Sequence, residues 1–191
     1  NYVKSILKRS EKIVDNLGIT DPAVKQNVLY ILANRYFKLN DIYEVRDQKV
    51  KYAKAVLTGA SKQAAIEAAE LEKDATLYRC HFEFPASLSL YINDKQIDAI
   101  KDGMTYNSLQ VQYESLVDMV PSLTEEEKKQ IYAWYKEARE FSMDAENSDK
   151  KHAAFNKYKG RINNYLTKRG YDLVKERNEW YKRLKAAGKK I

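Results

Sequence analysis

The sequence predicts an all-α protein: a single-domain helical bundle of about six to eight helices, organised on one long spine helix that starts near Pro22. Three observations carry this expectation. Apolar residues recur at helical spacing along most of the chain. Helix starts and stops are marked by capping residues, proline and glycine. Six Gly and three Pro in 191 residues are too few for the frequent turns of an all-β sandwich. An apolar share of 44% beside a charged share of 32% is the composition of a folded chain, not a disordered one. No run approaches the roughly 18 apolar residues that a membrane-spanning helix needs.

Val3, Ile6, Leu7, Ile13, Val14 and Leu17 share one face of a first helix, which Gly18 closes. Asp21-Pro22 places a capping residue before proline at the first helical position. From there Val24, Val28, Leu32, Leu39, Ile42, Val45, Val50, Ala53 and Val56 sustain one stripe, with Arg46, Asp47 and Lys49 on its wet face, until Thr58-Gly59-Ala60-Ser61. Ser61 is expected to open an alanine- and glutamate-rich helix running to Leu77. Pro85 should break or kink the pattern Phe82, Phe84, Leu88, because it lacks an N–H and clashes with the preceding turn. Asn93-Asp94 starts a short helix with Ile97 and Ile100 buried and Gly103 closing it. Tyr106 to Val120 forms the next. Thr124 with Glu127 is a capping box for a helix through Met143. Ser148-Asp149 caps a helix carrying Phe155, Tyr158, Ile162 and Leu166 up to Gly170, and Leu173, Trp180 and Leu184 mark a terminal helix.

Ile19-Thr20-Asp21 with Lys25-Gln26 matches Leu123-Thr124-Glu125 with Lys129-Gln130 in register, and Ile92-Asn93-Asp94 with Gln96 is a looser third copy. Ordinary capping and a duplicated helical hairpin both account for the likeness.

Several chemistries are excluded or left without material. One cysteine, Cys80, admits no internal disulfide and no multi-cysteine zinc site. His81 and His152 are too few for a histidine metal centre, and no metal or cofactor is expected. Cys80 and His81 point about 100° apart on a helix, so they form no nucleophile–base pair. Phosphate loops, H-E-x-x-H and G-x-S-x-G are missing; no catalytic residue is assigned. Asp102, Glu137 and Asp144 are the carboxylates best suited to glycosidic acid–base work, were there any.

Charge is uneven. Residues 150–191 hold 14 Lys or Arg against 3 acidic residues, a net of +11, while the remainder holds 20 against 24. Such a footprint suits an external polyanion or a set of acidic helices within the molecule. The chain is also rich in tyrosine: 15 Tyr stand beside 2 Trp and 5 Phe. Tyr pairs a flat apolar ring with a polar tip, which suits half-buried positions and wet binding faces. The stretch Lys157-Tyr158-Lys159-Gly160-Arg161-Ile162-Asn163-Asn164-Tyr165 mixes rings for stacking on sugars with cations and amides for their hydroxyls and carboxylates. Arg161 is the expected carboxylate contact, Tyr158 and Tyr165 the stacking pair, and Asn163 and Asn164 the hydroxyl readers. Gly160, at a cost of about 1 kcal/mol in mid-helix, allows a close approach of either a ligand or a packed helix. Single-stranded nucleic acid uses similar ingredients, but no nucleic-acid motif is present and none is expected as a partner.

The segments Lys101-Asp102-Gly103-Met104-Thr105-Tyr106, Leu123-Thr124-Glu125-Glu126, Glu137-Ala138-Arg139-Glu140 with Met143-Asp144-Ala145, and Lys157 to Leu166 resemble, together with Gly170-Tyr171-Asp172-Leu173, the family called domain of unknown function 3826. Leu17-Gly18-Ile19-Thr20-Asp21 and Leu39-Asn40-Asp41-Ile42 also fit, while Ala60 to Leu90 departs most. The resemblance implies an exported, all-helical protein of polysaccharide-degrading Gram-negative bacteria, secreted or lipid-anchored, with a provisional sugar-binding label. It makes Asp102, Thr105, Tyr106, Asp144, Lys159, Arg161, Asn163 and Asn164 ligand-site candidates. Beginning at Asn1 and not Met, the chain is expected to follow a removed secretory signal and to reside in the periplasm or outside the cell. Leu123-Thr124, with Glu127 where glutamine is expected, and the closer Ile92-Asn93-Asp94-Lys95-Gln96 are similar to the Leu-Thr-x-x-Gln motif of small periplasmic chaperones. The leading expectation is therefore a non-catalytic carbohydrate-associated protein, with acidic glycans favoured by charge; a chaperone-like or protein-binding factor and a glycoside hydrolase follow. Oligomeric state stays open.

Overall fold

A computed structural model describes residues 1–189; Lys190, one of the charges of the basic tail, lies outside the described residues. The described chain is all-α, with eight helices of eleven residues or more and one of six. It gathers into two compact units, Asn1–Ile100 and Lys101–Ile191.

In the first unit, α1 (Tyr2–Val14) buries Ile6, Ser10 and Val14, and a 3-10 turn at Asp15–Leu17 ends on Gly18 at φ 68°. The spine helix α2 (Pro22–Val56) is 35 residues long, about 50 Å at 1.5 Å per residue. It begins where its sequence says: the Asp21 carboxylate accepts from the Ala23 and Val24 N–H groups at 2.8 and 3.3 Å, and Pro22 fills the first turn. Val28, Leu32, Ala33, Tyr36 and Leu39 form its buried face. α3 (Gly59–His81) follows a two-residue turn and packs back along α2 as a hairpin. It starts two residues before the expected Ser61, with Thr58 as its cap. α3 stops at His81, and α4 (Glu83–Leu88) holds Pro85 in its first turn. The break falls where proline dictates, since the ring of Pro85 conflicts with a carbonyl four residues back.

α5 (Asp94–Met104) opens with a reciprocal pair: Gln96 N–H donates to Asn93 Oδ1 at 2.9 Å, and Asn93 N–H donates to Gln96 Oε1 at 3.1 Å. Gly103 does not close α5; it is helical. The left-handed residues are Tyr106 (φ 57°) and Asn107 (φ 56°), with Asn107 N–H reaching back to Asp102 O at 2.8 Å. This is a Schellman-type stop with tyrosine where glycine usually stands.

The second unit continues with α6 (Ser108–Met119), α7 (Glu125–Met143), α8 (Ser148–Lys168) and α9 (Leu173–Ala186). Leu109, Leu116, Val120, Leu123, Ile131, Tyr135, Ala138, Phe155, Tyr158, Ile162 and Leu166 make one core between α6, α7 and α8. The Thr124–Glu127 capping box is present in both directions. α8 is capped by Asn147, whose Oδ1 accepts from Lys150 N–H at 3.0 Å, one residue before the expected Ser148. Trp180 Nε1 donates to Asp118 at 2.6 Å and Arg183 to the Asp118 carbonyl at 2.7 Å, docking α9 on α6.

The apparent internal repeat is a matter of capping. Thr124 caps α7, whereas Asp21, one register position later than Thr20, caps α2. Asn93–Gln96 and Thr124–Glu127 share the reciprocal box and a buried apolar residue before it, Ile92 and Leu123.

Candidate functional site

The motif residues of the second unit are tied largely to one another. α7 presents Glu137, Arg139 and Glu140 in three directions. Arg139 donates to Asp102 at 2.8 Å, Lys101 lies 2.5 Å from Glu140, and Arg161 on α8 lies 3.6 Å from Glu137. Arg139 is buried and Asp102 largely so. Each of these charges is countered within the unit, and Arg161 is the one of them drawn from the basic C-terminal third.

This placement removes three candidates from any ligand surface. Asp102 is clamped by Arg139. Thr105 is fully buried, and its hydroxyl donates to the Lys101 carbonyl at 2.8 Å. Tyr158, expected to stack on a ligand, is instead part of the core at 4% exposure. Burial, then the neighbouring Glu137 carboxylate, pushes its hydroxyl pKa up to about 12. Its ring packs near-parallel to Phe141 at 6.3 Å and lies 4.8 Å beneath the Arg161 guanidinium. Tyr158 and Tyr165, seven apart, do share a side of α8 and pack on the same core, but at different depths: Tyr158 is interior and Tyr165 half-buried.

A second group does converge at the surface. Trp134 from α7 and Lys157, Gly160, Arg161, Asn164, Tyr165 and Lys168 from α8 line an open groove of about 620 Å³. Trp134 and Tyr165 meet edge to face at 5.1 Å and 87°, the arrangement their ring charge distributions favour. Lys157, Arg161 and Lys168 are exposed around these rings. Lys157 and Lys168 have no carboxylate partner among the described residues, whereas Arg161 is shared with Glu137. Gly160 packs against nothing: a side-chain carbon built on it would meet no atom within 4 Å. Neither tight helix packing nor an internal close approach explains it; its missing side chain widens the groove.

The remaining candidates lie elsewhere. Lys159 is exposed and Asn163 half-buried, and neither lines the groove. Tyr106, exposed in its left-handed turn, stacks on His152 at 5.5 Å and 21°. Asp144 is the half-buried C-cap of α7. Trp134 is the groove residue that reading α8 alone misses. The available signal was its spacing of three from Glu137 on α7, which puts both toward Arg161.

Glu127 anchors the other end of α7. It is buried, accepting from Thr124 N–H at 2.9 Å, Tyr171 Oη at 2.6 Å and Arg169 Nε at 2.7 Å. Burial by itself would raise its pKa; the three donors outweigh it and hold the carboxyl at about 2. Arg169 also covers the Tyr165 ring at 5.3 Å, linking this anchor to the groove. Among the described residues, no three His, Cys, Asp or Glu gather as a metal site, and no helix is long and apolar enough to cross a membrane.

The fold and groove define an all-helical protein whose second unit offers an aromatic floor and a cationic rim. The chain belongs to the family described as Protein of unknown function (DUF3826), whose model matches residues 3–186. That match spans both units, including the stretch from 60 to 90 where the motif likeness is thinnest. No curated protein matches the chain at a significant level.

Proposed function

We propose that the protein binds glycans, acidic ones in preference, through the α7–α8 groove, and that it does so outside the cytoplasm beside polysaccharide-degrading enzymes. The observation that carries the reading is the open groove in which Trp134 and Tyr165 sit among Lys157, Arg161 and Lys168. Sugar C–H faces stack on such rings, and uronic carboxylates suit a guanidinium fork flanked by lysines. The exposed Asn164 supplies hydroxyl contacts from the same helix face. Binding is favoured over hydrolysis because Asp102 and Glu137 are each engaged by an arginine.

Isothermal titration with acidic and neutral oligosaccharides tests this. Acidic ligands are expected to bind more tightly, with the preference fading as salt rises because exposed charges are screened beyond about 8–10 Å. Trp134→Ala and Arg161→Ala should each weaken acidic-glycan affinity about tenfold, a loss of about 1.4 kcal/mol. Unchanged affinity in both variants would reject the groove, and Arg161→Ala that lowers thermal stability alone would make that residue purely structural.

A protein-binding role is favoured by a different observation, an apolar row left exposed on α3.

A further inference from the structure

α3 is apolar on two opposite sides. Its inner side, with Ile66, Ala69, Leu77 and Cys80, packs toward α2. Its outer side carries Ala64, Ala68, Leu71, Ala75 and Tyr78, and Phe82 follows at the cap just past its last residue, the six spaced by four, three, four, three and four residues. That is a heptad seam. Leu71 is 69%, Tyr78 73% and Phe82 64% exposed, so among the described residues no other element covers the seam, within which Tyr78 and Phe82 meet edge to face at 6.2 Å.

We propose that two copies of the chain pair through this outer face of α3, antiparallel and across a two-fold axis. The charges bordering the seam select the partner. One end of the border is acidic, with Glu72 and Asp74; the other is basic or protonatable, with Arg79 and His81. An antiparallel copy centred between Thr76 and Leu77 sets Arg79 against Glu72 of the second copy, and His81 against Asp74, twice each by symmetry. The same register places Leu71 on Phe82 and Ala75 on Tyr78 of the second copy, so that small faces large at the centre. Other arrangements are poorer. Sliding by one heptad moves the axis to Lys73 and sets Glu72 and Asp74 each against its own copy. A parallel pair sets Asp74 against Arg79 of the second copy but also Glu67 against Glu72, so its attraction is offset by a like-charge pair. Arg79 is held near its place by a 3.0 Å bond to Thr76, and Glu72 already receives Lys49 at 2.5 Å, so the incoming arginine joins a border that is partly ordered.

Sedimentation equilibrium of the full chain tests the pairing. The mass should move from one chain toward two as concentration rises, and less so at high salt. Leu71→Asp or Tyr78→Asp should hold it at one chain, with circular dichroism reporting retained helix. Glu72→Arg or Arg79→Glu alone should weaken pairing about tenfold, and the double reversal should restore it. A single-chain mass at every concentration would overturn the proposal, as would a dimer indifferent to Leu71→Asp or a double reversal that rescues nothing. Capture of unfolded client chains by a protein that stays single-chain would assign the face to clients instead.

Discussion

The two units of this molecule are helical in different ways. In the second, α6, α7, α8 and the connection between the first two bury eleven residues in one core, with Phe155, Ile162 and Leu166 fully enclosed. In the first, the outer part of the α2–α3 hairpin, residues 40–79, buries only Ala53 and Ala69. There the helices are joined by small residues and by two ion pairs, Arg46 to Glu70 at 3.1 Å and Lys49 to Glu72 at 2.5 Å, with Lys73 bracing Glu70 from within α3 at 2.9 Å. Burial of apolar area is the larger stabilising term, and exposed ion pairs contribute little each. Helicity alone therefore says nothing of rigidity. The second unit is built to hold a shape, and the hairpin to present surface.

The widest separation should come from truncating the core. Phe155→Ala, at a residue with no exposure, is expected to cost about 3–5 kcal/mol in denaturant unfolding. Tyr52→Ala on the hairpin, at 65% exposure, should stay within about 0.5 kcal/mol. Equal losses would end the contrast. Next comes Glu127→Gln, expected to cost about 2 kcal/mol by removing a buried charge from Arg169 and Tyr171. Because the folded pKa of Glu127 is lowered, its contribution is complete above the ordinary carboxylate range and is lost as pH falls toward about 2. Acid titration should accordingly destabilise the wild type more steeply than the variant.

A smaller effect of opposite sign is expected at Gly160. Gly160→Ala should raise the melting temperature through about 1 kcal/mol of helix propensity, since the new methyl meets no atom. Smallest of all, Arg46→Ala should cost about 0.5 kcal/mol and less at high salt. Hydrogen exchange sharpens the same comparison: amides of 43–79 should open at lower free energy than those of α7 and α8.

Local chemistry was what the sequence made legible. Asp21-Pro22 and Thr124 with Glu127 mark helix starts by bonds made within three residues, and both starts are where they were expected. Gly103 misled because glycine permits a left-handed stop without compelling one, and the stop was moved to Tyr106 and Asn107. The candidate site was harder to foresee. Arg139 with Asp102, Lys101 with Glu140, and Arg161 with Glu137 join residues 37, 39 and 24 positions apart, separations that no periodicity encodes. Tyr158 and Tyr165 likewise differ only in what packs against them, and Trp134 enters the groove from another helix altogether.

The chain's one thiol sits at the foot of the hairpin. Arg35 donates from α2 to the Cys80 carbonyl at 2.8 Å and to its sulfur at 3.4 Å, and the residue is buried. A thiol reagent cannot reach that sulfur until α3 lifts from α2, so its reaction rate becomes a clock for that opening. When reclosing is faster than labelling, the observed rate divided by that of a free thiol is the equilibrium constant for opening. A natural reporter is thus built in where the loosely stitched outer hairpin gives way to the buried stretch of α2 around Arg35, and it can be timed in the unmodified protein.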